Sequence, residues 1–343
     1  MKPILERKID HIEICLRQDV EGRRGTGFGR YYFLHQALPE ISLADVRLET
    51  TFLGRRVAAP ILISGMTGGP ELGAEINRNL AAAAQELGLP ISVGSQRAAL
   101  RHPETRSSFT VVREQAPDVP VFANLGAADL GVHFDAAQVA DAVHMLDADG
   151  LFLHLNPLQE VIQGDRTAGF RGLAARLRQL AREADFPVLA KEVGCGISPQ
   201  TARLLADCGV AAIDVSGVGG TSWAKIEALR SIDESQRRLG ASFQDWGIPT
   251  EESLILCRAE LPDLPLIASG GVRNGIDSAK ALALSANLVA MALPLLAPAT
   301  RSARAVVEVL RQHMEELRLA MFLIGAPDVE TLRASRHLLA EVR

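Results

Sequence analysis

The sequence has few cysteines, and their spacing excludes two kinds of site. The 343 residues contain four, Cys15, Cys195, Cys208 and Cys257, and no two of them have the Cys-x-x-Cys spacing. Zinc sites and thioredoxin-type redox motifs use that spacing, so we expect neither in this chain. A chain of this length buries a large core without disulfides or a structural metal.

A basic excess is also missing. The chain has 36 Lys and Arg residues against 41 Asp and Glu residues, which gives a net charge of −5. Nucleic acids and anionic membranes attract proteins with a surplus of positive charge, so we expect neither as a partner. An anionic ligand must instead be held by a local cluster of cations.

The sequence contains no evident membrane span or signal peptide. Its first ten residues carry charges where a signal peptide needs an apolar core. The longest uncharged stretch, Ala281–Thr300, is interrupted by polar residues and two prolines. It predicts a helix end, a buried strand and a loop rather than a transmembrane helix. We therefore expect a cytoplasmic protein.

From about residue 60, short apolar runs alternate with helical stretches rich in Ala, Leu and Arg. This alternation predicts parallel strands joined by helices, and near-continuous apolar runs suit strands that are buried on both faces. Eight runs are present, near residues 60–66, 91–94, 121–126, 150–156, 187–193, 211–217, 264–271 and 288–294. Eight such units predict an α/β protein with a closed (β/α)8 TIM barrel. An open doubly wound sheet is the alternative, but no early Gly-x-Gly-x-x-Gly motif follows a strand.

Residues 1–59 do not follow this repeat. We expect them to form an N-terminal extension that has a helix near 8–20 and packs on the barrel. The barrel would then span residues 60–343, and the whole chain would form a single domain. One helix is predicted over 222–238, with an insertion after strand six around 231–247.

Polar residues follow the ends of the predicted strands, where the active sites of barrels lie. On strand four, His154 and Asn156 share the face opposite to the leucines, so we expect them to point into the barrel mouth. Lys191 on strand five is costly to bury without a partner. It could form an ion pair with a neighbouring carboxylate such as Asp214, or lie beneath an anionic ligand. Its place on the strand favours the second interpretation.

Two glycine runs, Gly217–Thr221 and Gly270–Gly275, lead from strands six and seven toward helices. Backbone N–H groups at the start of a helix bind phosphate well, and this fold has its usual phosphate site after strands seven and eight. The two runs together predict a phosphorylated cofactor.

A second anion site would need cations elsewhere at the mouth. The candidates that could converge there are Arg7, Lys8, His11, Arg97 and His154. Glu160, four residues beyond Asn156, has two interpretations. It could hold Mg²⁺ beside a phosphate, or it could be a carboxylate that faces the dipole at a helix start.

Taken together, these segments resemble the type 2 isopentenyl-diphosphate isomerases, a family that depends on FMN. The most specific matching motifs are Arg7-Lys-Ile-Asp-His11, Gly94-Ser-Gln-Arg97 and His154-Leu-Asn-Pro-Leu-Gln-Glu160. The remaining motifs, some common to many FMN barrels, are Gly65-Met-Thr-Gly-Gly69, Ala123-Asn-Leu-Gly126, Lys191-Glu-Val-Gly194, Gly217-Val-Gly-Gly-Thr-Ser-Trp223, Trp246-Gly-Ile and Ser269-Gly-Gly. They occur in family order from residue 7 to the last strand.

The resemblance implies a role for each matching position. The flavin ring, its polar edge and its ribityl phosphate would be held by Gly65, Met66, Thr67, Ser95, Asn124, Lys191, Ser216, Thr221, Gly270, Gly271, Val272, Ala292 and Leu293. The diphosphate and the alkenyl group of the substrate would be held by Arg7, Lys8, His11, Ser95, Gln96, Arg97, His154, Asn156 and Gln159. Glu160 would hold Mg²⁺. The family often has a glycine after Met-Ala, where this chain has Leu293-Pro294.

The implied activity is the interconversion of isopentenyl diphosphate and dimethylallyl diphosphate in isoprenoid biosynthesis. The resemblance implies reduced FMN as the acid and base, assisted by His154, Gln159 and Trp223, and no strong side-chain acid is evident at the mouth. The resemblance also implies NADPH as the reductant and a homotetramer as the assembly. The glycine-rich segment 163–172 is a candidate lid that would exclude water.

Three alternatives differ from this interpretation in their chemistry. An FMN-dependent 2-hydroxy acid oxidase or dehydrogenase needs a His base in a late loop, but Ser216–Thr221 contains none. A nucleotide dehydrogenase needs a nucleophilic Cys after strand six, and none lies there. The polar residues at seven strand ends argue against a barrel that serves only as an assembly surface.

Overall fold

The computed structural model describes residues 4–164 and 169–341. Its centre is a closed barrel of parallel strands, named β1 to β8 in chain order. They are β1 Ile61–Ile63, β2 Ile91–Ser92, β3 Val121–Gly126, β4 Gly150–Leu155, β5 Val188–Glu192, β6 Ala212–Asp214, β7 Leu266–Ala268 and β8 Leu288–Met291. Each strand pairs with the next, and β8 pairs with β1 at Val289 and Ile61. The predicted (β/α)8 barrel is confirmed, and the open sheet is wrong because it has no such closing pair.

The interior of the barrel is filled at its amino-terminal end. Phe122 and Phe152, on neighbouring strands, meet edge to face with ring centroids 5.4 Å apart. Phe52 packs on Phe122 from a hairpin whose strands are Thr50–Phe52 and Arg55–Val57. This hairpin therefore covers the amino-terminal end of the barrel with buried aromatic and aliphatic side chains, and the carboxyl ends of the strands remain for a site.

Helices follow the strands as the alternating pattern predicts. The α-helices of the described residues are Ile4–Arg17, Glu71–Leu87, Arg97–Arg101, Ser107–Gln115, Ala136–His144, Pro157–Gln163, Leu173–Glu183, Pro199–Asp207, Trp223–Arg230, Glu234–Ser242, Thr250–Glu260, Gly275–Ala283, Leu293–Ala299, Ala303–Phe322 and Val329–Ala334. Short 3₁₀ helices span Phe28–Arg30, Leu43–Asp45, Pro103–Thr105 and Ala127–Asp129.

Two sequence-based expectations about helices are wrong. The single helix over 222–238 is broken at 231–233, where the side chain of Asp233 caps a new helix by accepting a hydrogen bond from the N–H of Gln236 at 2.9 Å. The loop expected at the end of the uncharged stretch is the helix Leu293–Ala299. Pro294 lies in its first turn, where a missing N–H leaves no intrahelical bond unmade. None of the described helices has the length and apolarity to cross a membrane.

The N-terminal segment is tied to the barrel at several points. Its helix, expected near 8–20, spans Ile4–Arg17. Tyr31–Phe33 pairs antiparallel with the C-terminal strand Leu338–Ala340. The buried carboxylate of Glu251, on a barrel helix, accepts a hydrogen bond from the Tyr31 hydroxyl at 2.5 Å and pairs with Arg30. The segment therefore packs against the helical layer of the barrel.

Two arginines, Arg113 and Arg258, form equivalent sets of hydrogen bonds in the turns that precede β3 and β7. These two strands lie four positions apart in the barrel. Arg113 and Arg258 each precede the pattern x-x-x-Pro-Asp-x-Pro. Each guanidinium donates to the backbone carbonyls three, four and six residues ahead, at 2.7 to 3.3 Å. Each also binds the side chain just before the following strand, Asp149 at 2.8 Å and Asn287 at 2.9 Å. The planar fork of arginine therefore satisfies carbonyls that would otherwise be unpaired.

We expect Arg258→Lys to lower the free energy of unfolding by about 1–3 kcal/mol, because an ammonium has too few donors in the required directions. Urea denaturation measures this change. Arg304→Lys is the matched control, since the Arg304 side chain is 88% exposed and its replacement should shift stability by less than about 0.5 kcal/mol. Equal effects of the two substitutions would contradict the role of this turn.

Candidate active site

One cavity opens at the carboxyl ends of the strands, and all eight strands or the loops after them contribute to its wall. The predicted site residues that line it are Arg7, Lys8, His11, Gly65, Met66, Thr67, Ser95, Arg97, Asn124, His154, Asn156, Gln159, Glu160, Lys191, Ser216, Thr221, Trp223, Gly270, Gly271, Ala292 and Leu293. Residues that are separated by nearly the whole barrel sequence therefore meet in one place.

Two predicted residues do not line this cavity. Gln96 is fully buried, and its side chain donates to the carbonyl of Ala142 at 2.6 Å and accepts from the N–H of Asn124 at 2.9 Å. The side chain of Gln96 therefore binds the backbone of β3 and of the helix Ala136–His144, and does not face the cavity where a substrate contact was expected. Val272 is buried behind Gly270 and Gly271, so its side chain does not reach the cavity.

The helix Ile4–Arg17 forms part of the cavity wall. Its lining residues recur with the i, i+3, i+4, i+7, i+8 pattern of one helical face. They are Ile4, Arg7, Lys8, His11, Ile12 and Cys15. This face carries both cations and apolar side chains, so the N-terminal segment supplies three of the five members of the predicted cation cluster, Arg7, Lys8 and His11.

Lys8 is held in a poorly solvated position. Its Nζ donates to the carbonyl of Ser95 at 2.9 Å and lies 5.3 Å from the centre of the Phe109 ring. Burial, together with the positive charge of Arg7, lowers the pKa of Lys8 to about 7. Burial and the charge of Arg97 also act to lower the pKa of Arg7. Like charges gathered in this way would be stabilised by an anion bound between them.

His154 faces the same cations and is neutral at physiological pH. Burial, and then the charges of Lys191, Lys8 and Arg97, lower its pKa to about 4. Its Nδ1 lies 2.8 Å from the Oδ1 of Asn124, which fixes the ring orientation. A neutral imidazole in this position binds a polar ligand through hydrogen bonds rather than through charge.

Lys191 is paired with Asp214. The Nζ of Lys191 lies 2.6 Å from an oxygen of Asp214, whose side chain is 0% exposed, and 3.2 Å from the hydroxyl of Ser269. Ser269 donates to the other oxygen of Asp214 at 2.6 Å. The ion pair considered from the sequence is therefore present. Lys191 also lines the cavity, so the pair leaves it available to a ligand.

Glu160 and Asn156 form a second polar cluster. Asn156 donates to Glu160 at 2.8 Å and to Gln159 at 3.1 Å. Burial raises the pKa of Glu160, although the hydrogen bond from Asn156 and the charge of Arg97 oppose the shift. The Oδ1 of Asn156 is buried without a hydrogen-bond partner among the described residues. In residues 4–164 and 169–341, no cluster of three His, Cys, Asp or Glu residues could hold a metal.

The sequence did not indicate Glu227, which contacts two predicted residues, His11 and Gln159, and one that was not predicted, Arg230. Its buried carboxylate lies 2.9 Å from the Nε2 of His11 and 3.5 Å from the Nε2 of Gln159. The guanidinium of Arg230 donates to its other oxygen at 2.8 Å. Burial opposes its charge, but the hydrogen bond and charge of His11 and the charge of Arg230 outweigh this effect and lower its pKa. Glu227 lies one turn after the predicted site residue Trp223 on the same helix. This spacing is the sequence feature that could have indicated that Glu227 belongs to the site.

The loops after β6 and β7 lie in direct backbone contact. A Cβ at Gly270 would lie 2.1 Å from the carbonyl oxygen of Gly217, and the φ of Gly270 is +96°, so both packing and conformation require glycine there. Within the described chain, no hydrogen bond engages the N–H groups of Gly270 and Gly271. Both residues line the cavity, and N–H groups in such a turn fit a phosphate.

Two further features fit a bound flavin. The Oγ1 of Thr67 is buried in the cavity wall and has no partner among the described residues. Arg273, which lay in the glycine run but received no role from the sequence, lines the cavity and pairs with Glu21.

Of the candidate lid 163–172, residues 165–168 lie outside the described residues, while Gln163 lines the cavity.

The chain is similar to known proteins in both sequence and structure. A family model described as FMN-dependent dehydrogenase matches residues 172–339. The isopentenyl-diphosphate delta-isomerase of Nostoc sp. is 46% identical over 97% of this chain and 95% of its own. The enzymes of the same name from Pyrococcus furiosus and Methanothrix thermoacetophila are 46% and 49% identical, over 95% and 96% of this chain and 84% and 91% of their own.

Solved structures with the same fold are more distant in sequence. A lactate oxidase of Pediococcus acidilactici has a TM-score of 0.71 at 18% identity and covers 100% of this chain and 96% of its own. A mandelate oxidase variant has a TM-score of 0.68 at 21% identity, over 98% of this chain and 97% of its own. At this level of identity the likeness shows the barrel fold alone.

We expect Asp214→Asn to lower the free energy of unfolding of the flavin-free protein by about 3–5 kcal/mol, because it leaves the charge of Lys191 without its partner. Urea denaturation measures the loss. The double variant Lys191→Met/Asp214→Asn should lose less, since no unpaired charge remains.

Glu308→Gln, which breaks an exposed pair with Arg304, is the control and should change stability by no more than about 1 kcal/mol. A double variant that is less stable than Asp214→Asn would show that the buried pair is not what the aspartate stabilises.

Proposed function

The chain belongs to the isopentenyl-diphosphate delta-isomerases, and we propose that its barrel cavity holds FMN at the β6–β8 end and the substrate diphosphate at the N-terminal helix. The enzyme interconverts isopentenyl diphosphate and dimethylallyl diphosphate. One observation carries this placement: a single cavity has two ends suited to anions. The N–H groups of Gly270 and Gly271, which have no hydrogen-bond partner among the described residues, form one end, and Arg7, Lys8 and Arg97 form the other.

The two ends suit different phosphates. Backbone N–H groups in a glycine turn approach a monoester phosphate closely, as in other phosphate-binding loops. The cation end has poorly solvated positive charge, which favours the more highly charged diphosphate. Thr67, Asn124 and Lys191 lie on the wall of the same cavity and would hold the flavin ring.

The reaction moves a double bond by adding a proton at the terminal alkene carbon and removing one from the carbon next to the diphosphate-bearing carbon. Positive charge develops between these two events. Reduced FMN would supply this acid–base chemistry, with NADPH as the reductant. Neutral His154 would hydrogen-bond the substrate. Trp223, edge to face with His11 at 5.1 Å, would cover the alkenyl group and exclude water.

Gln159 is placed to position the substrate. Its amide is held between Asn156 and Glu227, so its orientation is set by two buried groups. His11 is fixed by the same carboxylate. These contacts would keep the reacting carbons close to the cofactor, and positioning of this kind contributes strongly to rate.

Glu160 would hold Mg²⁺ together with diphosphate oxygens. The Oδ1 of Asn156, which has no hydrogen-bond partner among the described residues, would be a second oxygen ligand beside it. Mg²⁺ is often bound by one or two carboxylates plus substrate phosphates, so a dedicated cluster of acidic residues is not required. The positive charge of the ion would also favour the ionised form of Glu160, whose pKa burial raises.

The proposal includes a cytoplasmic location and a homotetramer. All four cysteines are unpaired, which suits a reducing compartment. Tyr32, Leu34 and Leu38 on the N-terminal segment are exposed and apolar, and such patches are typical of subunit contacts. Light scattering of the purified protein measures the assembly.

We expect purified protein, under anaerobic conditions with FMN, NADPH, Mg²⁺ and isopentenyl diphosphate, to form dimethylallyl diphosphate. Product formation should require reduced flavin but should not consume NADPH stoichiometrically, because the reaction has no net redox change. Product is measured while each component is omitted in turn.

A matched variant tests the metal. Glu160→Gln should need more Mg²⁺ than the unaltered protein for half-maximal rate, and an unchanged requirement would place the metal elsewhere. Absence of product, combined with reduction of the flavin by a 2-hydroxy acid, would contradict the isomerase assignment.

The pH profile should report Lys8. In the free enzyme its pKa is about 7, and the diphosphate binds the charged ammonium form. The value of kcat/KM should therefore fall by up to about tenfold per pH unit above this pKa, as Lys8 loses its proton. Lys8→Arg stays charged because the guanidinium pKa exceeds 12, so its profile should lack this fall. Superimposable profiles would remove Lys8 as the titrating group.

A further inference from the structure

The segment Gly247–Thr250 joins the loops that follow three barrel strands. The N–H of Ile248 donates to the carbonyl of Cys195 in the loop after β5, at 2.9 Å. In the loop after β6, Val218 donates to the carbonyl of Ile248 at 2.9 Å and accepts from the N–H of Thr250 at 3.1 Å. We call the segment Gly247–Thr250 the brace. It includes Gly247 and Ile248 of the Trp246-Gly-Ile motif, and the site described above assigns it no role.

The side chain of Thr250 extends this brace to the loop after β7. Thr250 is fully buried. Its hydroxyl lies 2.6 Å from the carbonyl oxygen of Gly270, 3.1 Å from that of Ser269 and 3.3 Å from that of Val218. One hydroxyl proton can make one strong bond, and the shortest distance assigns it to Gly270.

This bond sets the direction of a free N–H group. In a trans peptide, the carbonyl of one residue and the N–H of the next point in opposite directions. The carbonyl of Gly270 points at Thr250, behind the cavity wall, so the N–H of Gly271 points away from Thr250. Gly271 lines the cavity, and no hydrogen bond engages its N–H within the described chain.

We propose that Thr250 is a positioning residue for the flavin phosphate: its hydroxyl fixes the Gly270–Gly271 peptide so that the N–H of Gly271 faces that phosphate. The inference rests on the proposed function, which places the phosphate at this loop. Thr250 itself touches no ligand. Without the hydroxyl, three carbonyls face an apolar group and the peptide loses its fixed orientation.

The test compares FMN with riboflavin, which lacks the phosphate, in binding to flavin-free protein by fluorescence quenching. Thr250→Val keeps the shape of the side chain and removes the donor. We expect it to weaken FMN binding about tenfold, the equivalent of one hydrogen bond, and to leave riboflavin binding unchanged. Thr250→Ser keeps the donor and should retain the affinity for FMN.

Thr105→Val is the control, because Thr105 is also buried and donates its hydroxyl to a single carbonyl, that of His102, at 2.8 Å. It should change neither affinity. If Thr250→Val binds both flavins as before, or weakens both equally, the inference is wrong. If the valine variant does not fold, Thr250→Ala beside Thr250→Ser makes the same comparison with the same two outcomes.

A separate arm tests the proposed phosphate site. Thr221→Val removes a predicted phosphate ligand on the facing loop and should reduce the preference for FMN. If Thr221→Val loses this preference and Thr250→Val keeps it, the positioning inference alone fails. If the unaltered protein binds riboflavin as tightly as FMN, or if neither variant changes its preference for FMN, the proposed phosphate site fails and the inference fails with it.

Discussion

Closure of the parallel barrel is the constraint on which the rest of the structure depends. Once β8 pairs with β1, every strand points the same way and all eight carboxyl ends meet at one mouth. The opposite end is filled by Phe52, Phe122 and Phe152, so among the described residues the open end of the barrel is the mouth. The helix Ile4–Arg17 forms part of the wall there. The N-terminal segment thus adds the cations Arg7 and Lys8 to Arg97 and Lys191 of the barrel.

The charge at this mouth differs from that of the whole chain. Three carboxylates near the cations already have partners: Asp214 pairs with Lys191, Glu227 with His11 and Arg230, and Asp129 with Arg97. Arg7 and Lys8 therefore add positive charge that burial makes costly, as their lowered pKa values show. Binding of a diphosphate would relieve this cost. A chain with a net charge of −5 can thus hold two anionic ligands through local arrangement.

The sequence predicted the barrel because strands buried on both faces leave long apolar runs, and polar residues at their ends stand out against them. It could not separate residues that line the cavity from those that support it. Ser95 and Arg97 line the wall, whereas Gln96 between them turns inward to Ala142 and Asn124. Glu227 escaped prediction because its contact with His11 joins positions 216 residues apart. The helix break at 231–233 depends on a local cap at Asp233, which the apolar pattern does not record.

The arrangement of titratable groups fits our proposal that a bound cofactor carries the proton chemistry. The pKa of His154 is about 4, so its imidazole is neutral at neutral pH and is a poor proton donor. Lys191 is held by Asp214. Burial raises the pKa of Glu192 to about 7, which would suit an acid, but one of its oxygens accepts the N–H groups of Val193 and Gly194 at 2.6 and 2.7 Å. Glu192 does not line the main cavity. In the proposed function, the side chains at the mouth would therefore position the ligands and set the local field, and the bound flavin would supply the proton.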